Sequence, residues 1–335
     1  MIYARALGDA LRHALEGDPR VVVLGEDIVD PYGGAFKVTR GLSTDFPSRV
    51  RATPVSEGAI AGISAGLALA GMRPIAEIMF GDFIGLCFDQ IVNHISKYGP
   101  MYNDGASCPV VIRTPSGGGR AYGPTHSQSL EKHFLGVPHL RVVAGSLWHD
   151  PAALFDDFLA GDTPVLHIEH KLLYPLHVAT GGDGGGFEAI TPDGSPGSLP
   201  TLSIRFVPRE ECSLTVVAYG YQAELVRRVL ERLAIERELF AELLVPAQLA
   251  PIDWQPLERS VAATGSLLTV EEGTGGWSWG TEVAAELGAR LFGRLRRAPS
   301  VLASGRDVIP GAPDREADVL VGERQIEDAV MEAAA

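Results

Sequence analysis

The chain alternates between two hydrophobic rhythms. Tyr3, Ala6, Leu7, Ala10, Leu11, Ala14 and Leu15 recur at three- and four-residue spacing, which places them on one face of a helix. Val21-Val22-Val23-Leu24-Gly25 follows, a short unbroken apolar run of the kind that forms a strand buried on both faces. The pattern then predicts helices over 58–71, 82–98 and 151–160, and strands over 73–80, 109–113, 140–143 and 165–169. It breaks over 181–200, where Gly, Pro, Ser and Asp gather without periodicity, as in a linker or a surface excursion. Afterwards strands are predicted over 214–219, 240–245, 267–271 and 301–303, and helices over 222–233, 256–263, 281–295 and 325–333. Strands and helices in alternation imply an α/β fold with doubly wound, mostly parallel sheets. The expected organisation is a first domain over 1–178, a Gly/Pro-rich linker over 179–202 and a second domain over 203–335.

Length supports two domains, because 335 residues exceed the size at which a single core stops growing. Hydrophobic residues make up 46% and charged residues 21%, an ordinary globular composition. The formal charge of −14 comes without a basic run, which argues against nucleic acid or anionic lipid as a partner. Cys87, Cys108 and Cys212 are odd in number and far apart, so neither a disulfide framework nor a zinc site is expected. Residues 1–12 carry no signal-peptide pattern. No apolar stretch approaches the roughly 18 residues that span a bilayer. The expected location is the cytoplasm.

Four stretches could carry chemistry. In Thr53-Pro54-Val55-Ser56-Glu57-Gly58-Ala59 a strand-like approach ends in a carboxylate that opens a helix. Position alone explains Glu57 as a first-turn acid favoured by the helix dipole. The helix behind it is built from Gly58, Ala59, Ala61, Gly62, Ser64, Ala65, Gly66, Ala68 and Ala70. Such small residues let another backbone approach closely, as in a core or an interface. A partly buried carboxyl there is a candidate proton-transfer group. Phe83, in Met79-Phe80-Gly81-Asp82-Phe83, stands at a strand-to-helix junction, where ligands collect in open parallel sheets. Without further context it reads as a core residue. His126 lies in a loop of small polar residues behind the glycine-rich Ser116-Gly117-Gly118-Gly119, a run that permits close backbone approach to a ligand. Glu272-Gly273-Thr274-Gly275-Gly276-Trp277-Ser278-Trp279-Gly280 follows a strand and precedes a helix, but lacks the spacing of a dinucleotide fingerprint.

Taken together, the chain resembles the β subunit of the decarboxylating, thiamine-diphosphate-dependent component of 2-oxo acid dehydrogenases, of the pyruvate, branched-chain 2-oxo acid or acetoin type. The matching stretches are Leu24-Gly25-Glu26-Asp27, Gly33-Gly34-Ala35-Phe36, Thr53-Pro54-Val55-Ser56-Glu57, Gly71-Met72-Arg73-Pro74-Ile75-Ala76-Glu77, Phe88-Asp89-Gln90-Ile91-Val92-Asn93, His126-Ser127-Gln128-Ser129 and the run 164–174. The resemblance implies a transketolase-like pyrimidine-binding domain followed by a transketolase C-terminal-like domain. It implies an α subunit in an α2β2 heterotetramer, with thiamine diphosphate shared between chains and Mg²⁺ held by the α chain. A lipoyl acyltransferase core and a small 2-oxo acid are the further implied partners. By similarity Glu57 would hydrogen-bond the aminopyrimidine ring nitrogen and activate the cofactor. Phe83 would stack on that ring, and His126 would lie near the substrate carboxylate and the acyl acceptor. A potassium ion would be held near Val110, Phe158, Leu159, Gly161 and Thr163.

Gly182-Asp183-Gly184 matches the start of the magnesium motif of such enzymes, yet the only asparagines, Asn93 and Asn103, lie upstream. The tripeptide is read as linker. The chain also departs from the family's pattern. Leu244-Val245-Pro246-Ala247-Gln248 lacks an arginine usual there, Leu147-Trp148-His149 replaces a proline-containing segment, and Gly161 stands where the potassium site has an aspartate. Two other readings stay open: a biosynthetic acyl- or two-carbon-transfer enzyme without a lipoyl core, and a non-catalytic scaffold.

Overall fold

The computed structural model describes residues 1–103, 105–179, 187–191 and 194–335. The chain divides into two compact units, Met1–Gly117 with His133–Val178, and Gly118–Lys132 with Ala179–Ala335. The segment Gly118–Lys132, placed in the first domain by the sequence pattern, thus belongs with the second unit.

The first unit contains α1 (Tyr3–Gly17), β1 (Val21–Gly25), α2 (Leu42–Asp45), β2 (Val50–Ala52), α3 (Glu57–Leu69), β3 (Arg73–Glu77), α4 (Tyr98–Met101), β4 (Val111–Ser116), β5 (Arg141–Ala144), α5 (Pro151–Ala160) and β6 (Val165–His170). Its strands pair in parallel in the order β5-β6-β4-β3-β1-β2. From β1 the chain goes to β2 on one side and then crosses to β3 on the other. Connections that diverge in this way open a crevice at the carboxyl ends of the strands. The periodic residues of α1, from Tyr3 to Leu15, are all buried, and each buried leucine contributes about 1.5–3 kcal/mol. Asp150 caps α5 by accepting from the Ala152 amide at 3.0 Å.

The helix expected over 82–98 is not continuous. A 3₁₀ segment, Gly81–Cys87, is followed by a π-helical turn, Gln90–Ile95. Glycines at 81 and 85 weaken the regular helix. Gly81 also packs where an added Cβ would stand 2.8 Å from Ser116 Cβ. Irregular turns of this kind recur at functional sites.

The second unit contains β7 (Glu188–Ile190), β8 (Thr201–Arg205), β9 (Leu214–Ala218), α6 (Gly220–Arg237), β10 (Ala241–Pro246), β11 (Gln248–Ala250), α7 (Trp254–Thr264), β12 (Leu267–Thr274), α8 (Trp279–Arg290), β13 (Ser300–Ser304), α9 (Pro313–Val319) and α10 (Glu323–Ala334). One sheet runs β13-β12-β9-β10-β8-β7. Its first four strands are parallel, while β8 runs antiparallel to β10 and β7 antiparallel to β8. The expected linker therefore contributes β7 and the start of β8 to a sheet. All three cysteines are buried and unpaired. Among the described residues no helix is long and apolar enough to cross a membrane.

The core of the first unit contains a charged centre. Arg113, 1% exposed, lies on β4 between Glu77 of β3 and Glu169 of β6. Its Nη1 donates to Glu77, its Nη2 to Glu169, and its Nε to Glu169 Oε1 at 2.8 Å. Removing the cation would leave two carboxyls buried without it. Arg113→Ala is therefore expected to destabilise the chain by about 3–5 kcal/mol. Denaturant unfolding checks this, and a loss near the 1 kcal/mol scale of an exposed pair would contradict it.

Candidate functional site

The crevice of the first unit collects the ends of β1, β2 and β3. Beyond β1 comes Glu26. Beyond β2 the chain passes through Thr53–Ser56 into α3, whose first residue is Glu57. Glu57 is 6% exposed and Glu26 is equally buried. Burial first, and then repulsion from Glu57 and Asp27, push the Glu26 carboxyl above the usual carboxylate range, against a hydrogen bond from the Ser56 amide. Glu26 Oε1 is buried without a hydrogen-bond partner. Sequence reasoning quoted Glu26 within a motif but gave it no role.

Beyond β3 comes Phe83, half-buried in the 3₁₀ segment. Its ring meets Phe80 edge-to-face at 5.8 Å between centroids. Phe80 meets Phe36 at 5.7 Å, and Phe36 meets Tyr174 at 5.1 Å. Tyr174 Oη donates to Glu169 Oε2 at 2.7 Å. Glu57 at the start of α3 and Phe83 in the 3₁₀ segment after β3 both belong to the first unit.

His126 belongs to the second unit. It is half-buried, and its Nδ1 lies 3.0 Å from Thr125 Oγ1. The adjoining Ser127 and Ser129 line a cavity of about 320 Å³ together with Glu272, Thr274, Arg306 and Asp307. The glycine-rich run before His126 was expected to admit a ligand. Its amides are instead taken by the chain's own carboxylates: Gly118 N donates to Glu272 Oε1 at 2.8 Å, and Gly119 N to Glu316 Oε1 at 2.9 Å.

The second glycine-rich stretch behaves alike. At the start of α8, Ser278 Oγ and the Gly280 amide, the latter at 3.0 Å, donate to Glu271 Oε1. An added Cβ at Gly280 would stand 2.7 Å from that oxygen. This closes the helix N-terminus to a phosphate, in agreement with the failed fingerprint spacing.

Scans against known families place residues 1–177 in the transketolase pyrimidine-binding domain and 206–326 in the transketolase C-terminal domain. The chain is 34% identical to the β subunit of an acetoin:2,6-dichlorophenolindophenol oxidoreductase of Cupriavidus necator, over 93% of this chain and 90% of the relative. It is 37% identical to the pyruvate dehydrogenase E1 component β subunit of Leifsonia xyli, over 90% and 86%. It is 35% identical to the 2-oxoisovalerate dehydrogenase β subunit of Bacillus subtilis, over 100% and 98%. The chain belongs to the family of 2-oxo acid dehydrogenase β subunits. Among solved structures, a split-gene transketolase described as an inactive β4 tetramer shares the fold, with a TM-score of 0.73, 22% identity and coverage of 100% of this chain and 99% of that one.

The residue types at these strand ends are ones an aminopyrimidine would use. Glu57 offers a carboxyl for a ring nitrogen, Phe83 an aromatic ring, and Glu26 an oxygen still without a partner. The expected potassium site fits less well. Gly161 O already accepts from Arg73 Nη1 at 2.6 Å, and Val110 O from the Val165 amide at 2.9 Å. Phe158 is buried, Leu159 is half-buried, and Thr163 is exposed. Arg73 supplies the positive charge at this loop. Gly182-Asp183-Gly184 lies outside the described residues. Among those described, no group of three His, Cys, Asp or Glu side chains is arranged to hold a metal.

Glu271 gives a pH test of this arrangement. Burial, followed by repulsion from Glu131, pushes its carboxyl up to about 7 against the Ser278 hydrogen bond. The folded chain then binds the proton more tightly than the unfolded chain, whose glutamates titrate near about 4.3. This contribution to stability is present below that value and is lost as pH rises to about 7. Glu271→Gln is expected to flatten this part of the stability–pH curve, measured by denaturant unfolding across that range. Parallel curves for the two proteins would refute the assignment.

Proposed function

We propose that the chain is the catalytic β half of a thiamine-diphosphate-dependent 2-oxo acid dehydrogenase, working with an α-type subunit in an α2β2 assembly and passing the acyl group to a lipoyl carrier. The observation that carries this reading is the buried Glu57 at the crevice, beside Glu26 with its unpartnered oxygen, in a chain of this family. When bound, thiamine diphosphate supplies the carbon nucleophile and the electron sink for decarboxylation. Glu57 holds a hydrogen bond to a pyrimidine ring nitrogen and moves a proton there. Glu26, with a buried oxygen that lacks a hydrogen-bond partner, lies near Glu57. Phe83, braced by Phe80, fixes the ring plane. His126 binds the substrate carboxylate or the incoming acceptor. The diphosphate and Mg²⁺ fall to the α-type chain, because the glycine-rich turns of this chain are occupied by its own glutamates.

The outer face of α3 supports a partner. Ala59, Gly62, Ile63 and Gly66 are exposed along it, with Ile63 at 53%. Within this chain little requires glycine there. An added Cβ at Gly66 would meet nothing within 4 Å, and at Gly62 only Gln90 Cγ at 4.0 Å. Each helical glycine costs about 1 kcal/mol relative to alanine, so the stripe suits a second backbone packed closely on it.

Calorimetric titration with thiamine diphosphate and Mg²⁺ tests the shared site. Tight binding is expected from the chain co-expressed with its α-type partner, and not from the chain alone. Tight binding to the lone chain would overturn the division. In the assembled enzyme Glu57→Gln is expected to lower kcat about 10²–10⁴-fold, the range of a positioned proton-transfer group. Unchanged turnover would remove Glu57 from the mechanism.

Gly66→Leu is expected to keep or raise the melting temperature of the lone chain while preventing assembly, read by size-exclusion chromatography. Normal assembly would show that α3 faces solvent in the complex.

A further inference from the structure

The loop that carries His126 has an unusual backbone. Gly117, Gly119, Ala121 and Gly123 all have positive φ, at 86°, 80°, 56° and 79°. Alternation of this kind turns successive amides toward one side and forms a concavity that binds anions. Here the anion is a side chain of the same chain. Glu316, from α9, is 3% exposed. Its Oε1 accepts from Gly119 N at 2.9 Å and its Oε2 from Ala121 N at 2.8 Å. A Cβ at Gly118 would stand 3.2 Å from Glu316 Oε1 and 2.5 Å from Leu320 Cδ1, so the close approach that glycine permits here is to α9 and the residue after it. Ala121 adopts a left-handed conformation that costs an L-residue roughly 1–2 kcal/mol, and charge-assisted hydrogen bonds offset it.

Glu272 adds a second tie. Its Oε1 accepts from Gly118 N at 2.8 Å and from Ser129 Oγ at 3.1 Å. Tyr219 Oη donates to Glu131 Oε1 at 2.7 Å, and Lys132 Nζ to Thr274 O at 3.0 Å. His126 thus sits at the middle of a short span fixed at both ends, with its amide donating to Gly123 O at 3.3 Å.

We propose that Glu316 is a positioning residue: by filling the backbone nest over Gly119–Ala121 it sets the place of His126 in the reaction. The proposal rests on the catalytic reading of His126 given above. Glu316 acts as a carboxylate whose two oxygens engage two amides. Glutamine keeps the shape but turns a donor toward one of them.

The test uses the enzyme reconstituted with its α-type partner. Turnover is followed with 2,6-dichlorophenolindophenol as electron acceptor and with pyruvate, 2-oxoisovalerate and acetoin as substrates. Glu316→Gln is expected to lower kcat about 10–100-fold, the scale of a misplaced catalytic group, with thiamine diphosphate affinity and melting temperature retained. Amide exchange over 118–123, read by mass spectrometry, is expected to quicken. In a His126→Ala background the same change is expected to cost nothing further, since it acts through that side chain. If His126→Ala lowers turnover and Glu316→Gln does not, or if their losses multiply, the positioning role is wrong and the His126 role stands. If His126→Ala is silent, both fall and the Glu57 role is untouched. A kcat loss accompanied by lost cofactor binding would make Glu316 merely structural. Should Glu316→Gln fail to fold, Glu316→Asp, which keeps the charge one methylene short, is read by the same exchange and turnover measurements against the same outcomes.

Discussion

Arg113 brings a full positive charge into a parallel sheet whose neighbouring strands each supply a carboxyl, Glu77 from β3 and Glu169 from β6. One cation cannot balance two buried anions, and the two carboxyls divide accordingly. Burial pushes Glu77 upward more strongly than Arg113 draws it down. Glu169 is also opposed by burial, yet Arg113 and His167 hold it below the usual carboxylate range. The arrangement is a buried Arg113–Glu169 pair with Glu77 as the second partner of the same guanidinium. A pair of this kind fixes geometry more than it adds stability, and what it fixes is the register of β3, β4 and β6 at the ends where the crevice opens. From Glu169 the constraint continues through the Tyr174 hydroxyl and the rings of Phe36 and Phe80 to Phe83. The Phe83 ring is thus linked through this chain of contacts to a buried charge.

Much of the fold was legible because alternating apolar runs and amphipathic repeats are local signals. The helix over 151–160 kept its bounds, and most strands moved by a residue or two. The misreadings have physical causes. Over 82–98 the hydrophobic pattern is helical, but glycines and close packing on β4 divide it into 3₁₀ and π turns. Over 181–200 the composition reads as linker, and a short antiparallel edge strand, β7, leaves too little pattern to be seen. The contacts of Gly118–Lys132 with the second unit are a different matter: they are made by side chains distant in sequence, and no local periodicity encodes them.

The site was legible to a similar degree. Glu57 and Phe83 fall at junctions where parallel sheets place ligands, and in the structure each follows the end of a first-unit strand. Glu26 could have been found from its place directly after β1, at the reversal of strand order. Glu316 could not. It lies 197 residues from the amide it accepts, on a helix of seven residues, and neither its neighbours nor its spacing distinguishes it from an exposed acid. What the sequence did show was the other half of the contact, glycines clustered in a loop, without the identity of what fills it.

That half-visible contact bears on the excess of 42 acidic over 28 basic residues. Solubility explains acids on the surface, but Glu271, Glu272 and Glu316 are buried and accept from backbone amides. They occupy a helix N-terminus and a nest, the backbone arrangements that bind phosphate in other folds. Glu26 and Glu57 are buried as well, and Glu57 is near enough to repel the Glu26 carboxyl. The two groups differ in what answers their charge. In the second unit the chain's own amides and hydroxyls do so, and the glutamates become internal ligands that shape loops. In the first unit Glu26 Oε1 has no hydrogen-bond partner, and burial and the neighbouring Glu57 raise the Glu26 carboxyl. A chain built in this way fills its phosphate-binding geometry with its own side chains, which is what the proposed division of the cofactor between two chains requires.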